Sequence, residues 1–272
     1  MDDINALVAL ARKAGEAILD VYRRDIDVQT KDDDSPLTQA DLASHRVLVD
    51  GLSELTPDVP VFSEEGEPPA FEERRAWPRY WLIDPLDGTK EFINRNGEFT
   101  VNIALIEGQR AVLGVVGVPV QDCVYTGDVR TGEALKHTAD GAHAISGRPR
   151  IDGDPLTVVA SRSHGGGRLE RYLEALGECF GSMERTPVGS SLKLCILAEG
   201  RADIYPRLGP TSEWDIAAAH AVLAAAGGDV WAVGERELRY NTKESVLNPD
   251  FIAVSDGAYS WHEQLPEVPA QE

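Results

Sequence analysis

The sequence predicts a mixed α/β (α+β) fold, and three features carry that prediction. Amphipathic helical repeats open the chain, a run of successive strand-like segments fills its first half, and strands alternate with helices through its second. With 272 residues, 42% of them hydrophobic, there is material for a sizeable core.

Residues 4–22 place Ile4, Leu7, Val8, Ala11, Ala14, Ile18 and Tyr22 at spacings of three and four, which predicts an amphipathic helix. The polar stretch KDDDSP at 31–36 interrupts the chain. A second helical pattern follows through Leu42, Val47, Leu48, Leu52 and Leu55, with Thr38 as its N-cap. Residues 59–63, 80–84, 99–107, 110–118 and 123–126 predict strands joined by turn residues, and strands in direct succession predict a mostly antiparallel sheet. From 127 to 155 the sequence turns rich in Gly, Asp, Arg and Pro, the composition of a domain boundary. Beyond it, strands at 156–160, 202–206, 229–232 and 251–255 alternate with helices at 167–176, 190–199 and 214–226, as layered α/β structure requires. The expected organisation is an N-terminal α+β subdomain over 1–135, a C-terminal α/β subdomain over 136–256 and a loose tail over 257–272, where LPEVPAQE offers no apolar face. No internal repeat is present.

Charge and cysteine usage exclude several classes. The 26 Lys and Arg face 46 Asp and Glu, a net charge of −20, which disfavours a nucleic-acid polymer as partner because such binding rests on basic residues releasing counterions. A small anion is still compatible, since divalent cations and a few Lys or Arg reverse the field inside one cleft. Cys123, Cys179 and Cys195 are odd in number and lack CxxC spacing, so neither a disulfide framework nor a zinc site is predicted. The N-terminal segment is acidic and then amphipathic, unlike a signal peptide. The most apolar stretches, 101–106 and 111–118, fall well short of the roughly 20 residues of a membrane span. A cytoplasmic protein is expected.

The segment WLIDPLDGT, 81–89, has the strongest chemical content. An apolar strand delivers Asp84 and Asp87 to a tight turn in which Pro85 fixes φ and Gly88 admits positive φ. A bare Asp-Gly is most often only a turn, but two carboxylates at the end of an apolar strand also suit hard Mg²⁺, which requires clustered oxygens. Glu64 and Glu65 follow the apolar VFS segment and read locally as either a solvated loop or further ligands. Asp215, in SEWDIAAAH, reads locally as an acid stabilising a helix N-terminus. The six histidines show no HExxH spacing, so a metal held by these carboxylates should be an oxygen-liking ion such as Mg²⁺ or Mn²⁺, not Zn²⁺.

Together, Glu64, the run Asp84-Pro85-Leu86-Asp87-Gly88-Thr89, and Trp214-Asp215 resemble the signature of the lithium-sensitive, Mg²⁺-dependent inositol monophosphatase superfamily. KDDDSPLTQAD (31–41), DPLDGTKEFINRNGEFTVNIALI (84–106) and GSSLKLCILAEGRADIYPRLGPTSEWDIAAAHAV (189–222) resemble its bacterial bisphosphate nucleotidase branch, and the similarity spans about 4–255. The resemblance implies a layered αβαβα sandwich of the inositol monophosphatase and fructose-1,6-bisphosphatase type, with metal and substrate between two subdomains. It implies two or three Mg²⁺ ions on Glu64, Asp84, Asp87, Asp215 and the Leu86 carbonyl. Asp41 and Thr89 then resemble the water-activating pair, with Glu65 a further acidic partner. Phosphoryl transfer needs mainly positioning and charge neutralisation, which two metals about 4 Å apart supply without a nucleophilic side chain.

The resemblance also implies substrate contacts at Glu64, Asp87, Gly88, Thr89, His164, Ser190, Lys193, Arg207 and Asp215, with Lys193 and Arg207 suited to a second, non-reacting phosphate. Gly189-Ser190-Ser191 opens a helix, where free N–H groups bind phosphate and where serines equally serve as ordinary caps. His164 in SRSHGGG is compatible with a solvent-facing loop, while Lys90-Glu91 after DGT resembles the nucleotidase version of the motif and reads locally as an exposed ion pair. The implied activity is hydrolysis of the 3′-phosphate of 3′-phosphoadenosine 5′-phosphate, a by-product of sulfate transfer, to AMP and phosphate by a metal-activated water. The related phosphosulfate is a candidate substrate. Members of this branch also occur at the cytoplasmic face of the inner membrane, although no basic amphipathic anchor is present here. Action on inositol 1-phosphate or fructose 1,6-bisphosphate, and a catalytically silent metal-responsive regulator, are the alternatives.

Overall fold

The structure, a computed structural model, describes residues 3–23, 36–160 and 167–270, with side chains from residue 39 onward in the second stretch. Two helices lead, α1 (Ile4–Tyr22) and α2 (Pro36–Leu55). The Asp3 carboxylate caps α1 by accepting the N–H groups of Asn5 and Ala6. A seven-stranded sheet follows, interrupted by the short helices α3 (Phe71–Arg74) and α4 (Thr89–Ile93). Its strands are β1 (Val61–Ser63), β2 (Arg79–Asp87), β3 (Thr100–Glu107), β4 (Arg110–Val118), β5 (Cys123–Asp128), β6 (Glu133–Thr138) and β7 (Gly141–Ala144), in chain order across the sheet. Only the β1–β2 pair is parallel.

The second half comprises β8 (Leu156–Ala160), α5 (Gly167–Phe180), β9 (Met183–Pro187), α6 (Leu192–Ala198), β10 (Ile204–Arg207), α7 (Glu213–Ala225), β11 (Asp229–Ala232), β12 (Phe251–Val254) and α8 (Trp261–Gln264). Its five strands form a mixed sheet in the order β11-β12-β10-β8-β9.

Period-two alternation sorts each sheet into two buried faces. In the first sheet Trp81, Ile83, Val101, Ile103, Leu105, Leu113 and Val115 pack under α1 and α2. Tyr80, Leu82, Ala104, Ile106, Val116 and Tyr125 face the other way, onto α6 and α7. Those two helices also cover Val159, Tyr205, Phe251 and Ala253 of the second sheet. Leu156, Val158, Ile204, Ile252 and Val254 pack outward against α5 and Trp261. The layers therefore run αβαβα, with α6 and α7 in the middle. A helix buried from both sides should be apolar around its circumference, and α7 is: Ile216, Ala217, Ala218, Ala219, Ala221, Val222 and Leu223 are all buried.

Three differences from the sequence reading have local causes. The second helix already includes Pro36 and Leu37, so Thr38 lies inside it and not at the N-cap position expected. The first sheet runs on through β6 and β7 to Ala144, past the boundary after residue 135, because these strands pair at an edge where little apolar alternation is needed. The segment from 257 is docked: Trp261 is 2% exposed against Phe180 and Tyr259, Val268 packs on the same cluster, and Arg168 Nε donates to the Pro269 carbonyl at 2.6 Å. Residues 31–35 of the polar break lie outside the described residues. Among the described residues no helix is long and apolar enough to cross a membrane, and all three cysteines are unpaired.

The approach of α7 to the first sheet is set by two glycines. A Cβ at Gly114 would lie 1.9 Å from the Ala218 carbonyl oxygen, and one at Gly127 2.4 Å from Val222 Cα. Both obstacles are backbone, which cannot turn aside. Gly114→Ala is expected to cost about 3 kcal/mol or more in urea unfolding, the upper end for an overpacked core; a loss below about 1 kcal/mol would show that the helix has room to move.

Candidate active site

The site grows out of an irregularity in β2. Asp84 pairs with Asn102 and Asp87 with Thr100, so three steps on β2 oppose two on β3. In a regular strand Asp84 and Asp87 would point to opposite faces; the extra residue of the bulge restores them to one side. Pro85 can occupy the bulge because no ladder N–H is required there. The Asp84 carboxylate accepts the Leu86 N–H at 3.0 Å, and Ser44 of α2 donates its hydroxyl to the Pro85 carbonyl at 2.7 Å, anchoring the bend from below. Gly88, at φ 96°, then turns the chain into α4, whose first residue is Thr89.

Two other segments converge on this bend. Strand β1 runs parallel to β2 with Ser63 opposite Ile83, and the Glu64 N–H donates to the Ile83 carbonyl at 3.2 Å, so Glu64 emerges beside Asp84. Helix α7 arrives from the other half with Asp215 in its first turn, forming a capping box in which the Ser212 N–H donates to Asp215 Oδ2 at 2.9 Å. Next to it, the buried Glu213 carboxylate accepts the Asn241 N–H at 2.9 and 3.0 Å, and Asn241 also bonds the buried Arg74 guanidinium. This network ties the start of α7 to α3. Asp215 is thus both helix cap and site residue.

One carboxylate oxygen each from Glu64, Asp84 and Asp215 lies within 4.8 Å of the others. Asp84 is buried, Asp215 half-buried and Glu64 open to solvent, an arrangement closed behind and accessible in front. Burial, and then the charges of Glu64, Asp87 and Asp215, drive Asp84 well above the usual carboxylate range. Burial and then Asp87 push Asp215 up to about 7. Burial, then Glu65 and Glu64, raise Asp41 on α2 to about 8, so Asp41 and Glu65 belong to the same electrostatic cluster. An all-oxygen donor set whose members repel one another fits a hard divalent cation.

Asp87 is held differently. Its Oδ2 accepts the Ser191 N–H at 2.5 Å and lies 3.4 Å from Thr100 Oγ1, and it stands outside the group of three. Burial raises its pKa, opposed by Lys193 and the Ser191 N–H.

A cavity of about 300 Å³ opens in front of these groups, lined by Glu64, Asp84, Leu86, Asp87, Gly88 and Thr89 on one side and by Ser190, Lys193, Arg207 and Asp215 on the other. Lys193 is buried, donates Nζ to the Ser190 carbonyl at 2.9 Å and lies over the Tyr205 ring; burial lowers its pKa to about 8, against the pull of Asp87. Arg207 donates to the carbonyls of Gly209 at 3.2 Å and Pro210 at 2.6 Å. Lys90 and Glu91 also line the cavity. His164 lies outside the described residues.

The N–H groups of Gly189, Ser191 and Leu192 are engaged within the protein, unlike the free groups expected for the Gly189-Ser190-Ser191 turn. Gly189 donates to Glu98 Oε2 at 2.8 Å, Ser191 to Asp87, and Leu192 to Ser190 Oγ at 3.4 Å, while the Ser190 hydroxyl donates to the Glu98 carbonyl at 2.6 Å. The turn is a joint between the two halves. Glu98, Thr100 and Asn102 were not singled out by the sequence, although a lone Asn inside the apolar run VNIALI is a signal that a buried amide has a task.

The chain is similar to known proteins along most of its length. The profile of the Inositol monophosphatase family matches residues 2–267. The 3′(2′),5′-bisphosphate nucleotidase CysQ of Escherichia coli strain K12 is 51% identical over 250 residues, covering 91% of this chain and 98% of that protein. Among solved structures, CysQ from Bacteroides thetaiotaomicron, described as a bacterial member of the inositol monophosphatase family, superposes with a TM-score of 0.84 at 42% identity over 92% of this chain and 97% of that one. An inositol monophosphatase from Zymomonas mobilis superposes with a TM-score of 0.76 at 25% identity, covering 94% and 93%.

If the carboxylates repel one another as described, Asp215→Asn should stabilise the protein in EDTA, by on the order of 1 kcal/mol, while keeping the cap to Ser212. Where Mg²⁺ raises the melting temperature of the wild type, the same variant is expected to lose most of that rise. Destabilisation in EDTA would show that the cluster is not under electrostatic strain.

Proposed function

The chain belongs to the inositol monophosphatase family, and from that premise we propose that it is a bisphosphate nucleotidase that removes the 3′-phosphate of 3′-phosphoadenosine 5′-phosphate, leaving AMP and phosphate. The observation that carries the proposal is a single cavity lined both by the carboxylates of Glu64, Asp84 and Asp215 and by the cations of Lys193 and Arg207. A doubly phosphorylated nucleotide presents one phosphate to each kind of group. The phosphosulfate analogue carries the same 3′-phosphate and falls within the proposal.

Glu64, Asp84, Asp87, Asp215 and the Leu86 carbonyl would hold Mg²⁺. When bound, the cation neutralises phosphoryl charge and supplies the acidity that makes water a competent nucleophile near neutral pH. In this proposal Thr89 and Asp41 orient that water and accept its proton, and Glu65 maintains the negative field around Asp41. Lys193 and Arg207 bind the non-reacting phosphate; Lys193, already buried, loses little further hydration on doing so. Ser190 and Gly88 shape the cavity wall between the two phosphate positions. The relatives' role as nucleotidases supports a place in sulfur metabolism. Three unpaired cysteines support the cytoplasm as its compartment.

The test is phosphate release from equal concentrations of 3′-phosphoadenosine 5′-phosphate, inositol 1-phosphate and fructose 1,6-bisphosphate, with Mg²⁺ or EDTA. Mg²⁺-dependent preference for the nucleotide is expected, with Asp84→Asn reducing turnover at least about 100-fold. Preference for inositol or sugar phosphate would overturn the role of Lys193 and Arg207 while keeping the metal site. No release from any substrate would favour a silent regulator.

A further inference from the structure

Three polar side chains sit where the core has no need of them. Thr100 and Asn102 belong to a strand otherwise apolar as far as Ile106 and are 0% and 1% exposed, and Ser191 is 2% exposed. Buried polar groups are costly unless paired, and apolar residues of similar volume would fill the same space. Their register explains the placement: Asn102 lies directly across from Asp84 and Thr100 directly across from Asp87, so both face the bulge.

The hydrogen bonds among them have a definite direction. Ser191 donates its one hydroxyl proton to Asn102 Oδ1 at 2.8 Å. Toward Thr100, 2.9 Å away, Ser191 Oγ is therefore the acceptor, and the Thr100 proton is given to it, with Asp87 Oδ2 as a second acceptor at 3.4 Å. The Ser191 backbone N–H is the 2.5 Å donor to that same Asp87 oxygen. Among the described residues Asn102 Nδ2 is buried without a hydrogen-bond partner, on the strand position directly across from Asp84. The side chain of Ser191 is thus locked by β3 while its backbone grips Asp87. With Oδ2 engaged, rotation of the Asp87 carboxylate is fixed.

We propose that Ser191, Thr100 and Asn102 form a positioning relay that presets Asp87 for the cation and couples metal binding to the seating of α6 against β3. The proposal rests on the metal site described above. Outer-shell partners of a metal-bound carboxylate govern affinity without touching the metal, with losses of about 10- to 100-fold when removed.

The experiment is calorimetric titration of the metal-free protein with Mn²⁺, comparing wild type, Ser191→Ala, Thr100→Val and Thr100→Ser, with Mg²⁺ dependence of turnover measured in parallel. Thr100→Val keeps the volume and removes the hydroxyl; Thr100→Ser keeps the hydroxyl and removes a methyl. We expect Ser191→Ala and Thr100→Val to weaken Mn²⁺ binding about 10-fold or more and Thr100→Ser to stay within about threefold of wild type. Turnover of the weakened variants should recover at saturating Mg²⁺. Unchanged affinity in Ser191→Ala and Thr100→Val, or equal losses in both Thr100 variants, overturns the relay, the latter because packing alone would then explain it. Should Ser191→Ala fail to fold, the Thr100 pair decides. A wild-type protein that takes up no Mn²⁺ overturns the metal site itself, a result distinct from failure of the relay.

Discussion

Everything in the site depends on how closely α7 lies on the first sheet. At Gly114 and Gly127 the helix backbone rests on the strand backbone with no side chain between them. That contact carries Asp215, a residue of the second half, to within 4.8 Å of carboxylates on β2 and after β1. A helix held farther from the sheet by larger side chains would leave the acidic group incomplete. The alanines of α7 serve the same end, since small side chains let a helix sit between two sheets.

The second organising effect is repulsive. Folding buries several carboxylates against one another and raises the pKa of each, which costs stability that the apolar layers must offset. Such a cost persists in a structure where function needs it, and here it is concentrated at one bend. The surroundings are stabilising: α2 anchors the bend through Ser44, Arg74 and Asn241 fix Glu213, and Lys136 with Tyr125 binds Glu199 at the end of α6. Rigid supports around a self-repelling centre keep its geometry while leaving its electrostatics to a ligand.

How much of this was legible in the sequence follows from the range of the interactions involved. Helix periodicity and strand alternation are local, so α1, β4, β8 and β11 could be read almost to their ends. The chemistry of Asp84 and Asp87 was legible because the bulge that aligns them is written into four consecutive residues, with Pro85 as its mark. Asp215 was ambiguous locally, and fairly so, because it does cap its helix. What stayed hidden is non-local. Nothing near Ser191 says that its N–H will meet Asp87, 104 positions away, and nothing near Trp261 says that it will close the outer face of the second sheet. β6 and the edge strand β7 were missed because strands with half-exposed or exposed faces carry little hydrophobic pattern.

The strand order of the second sheet has a consequence for how the molecule comes into being. β12, the last strand of the chain, lies between β11 and β10 and is antiparallel to both, so that sheet has a gap until residues 251–254 arrive. The sheet in turn backs the middle helices, and α7 brings in the last member of the acidic group. The first sheet is built from consecutive strands, whereas the acidic group needs Asp215 from the second half. The acidic group is therefore complete only when strands from residue 61 to residue 254 are all in place, which makes the site a product of both sheets and not of the segment that carries Asp84 alone.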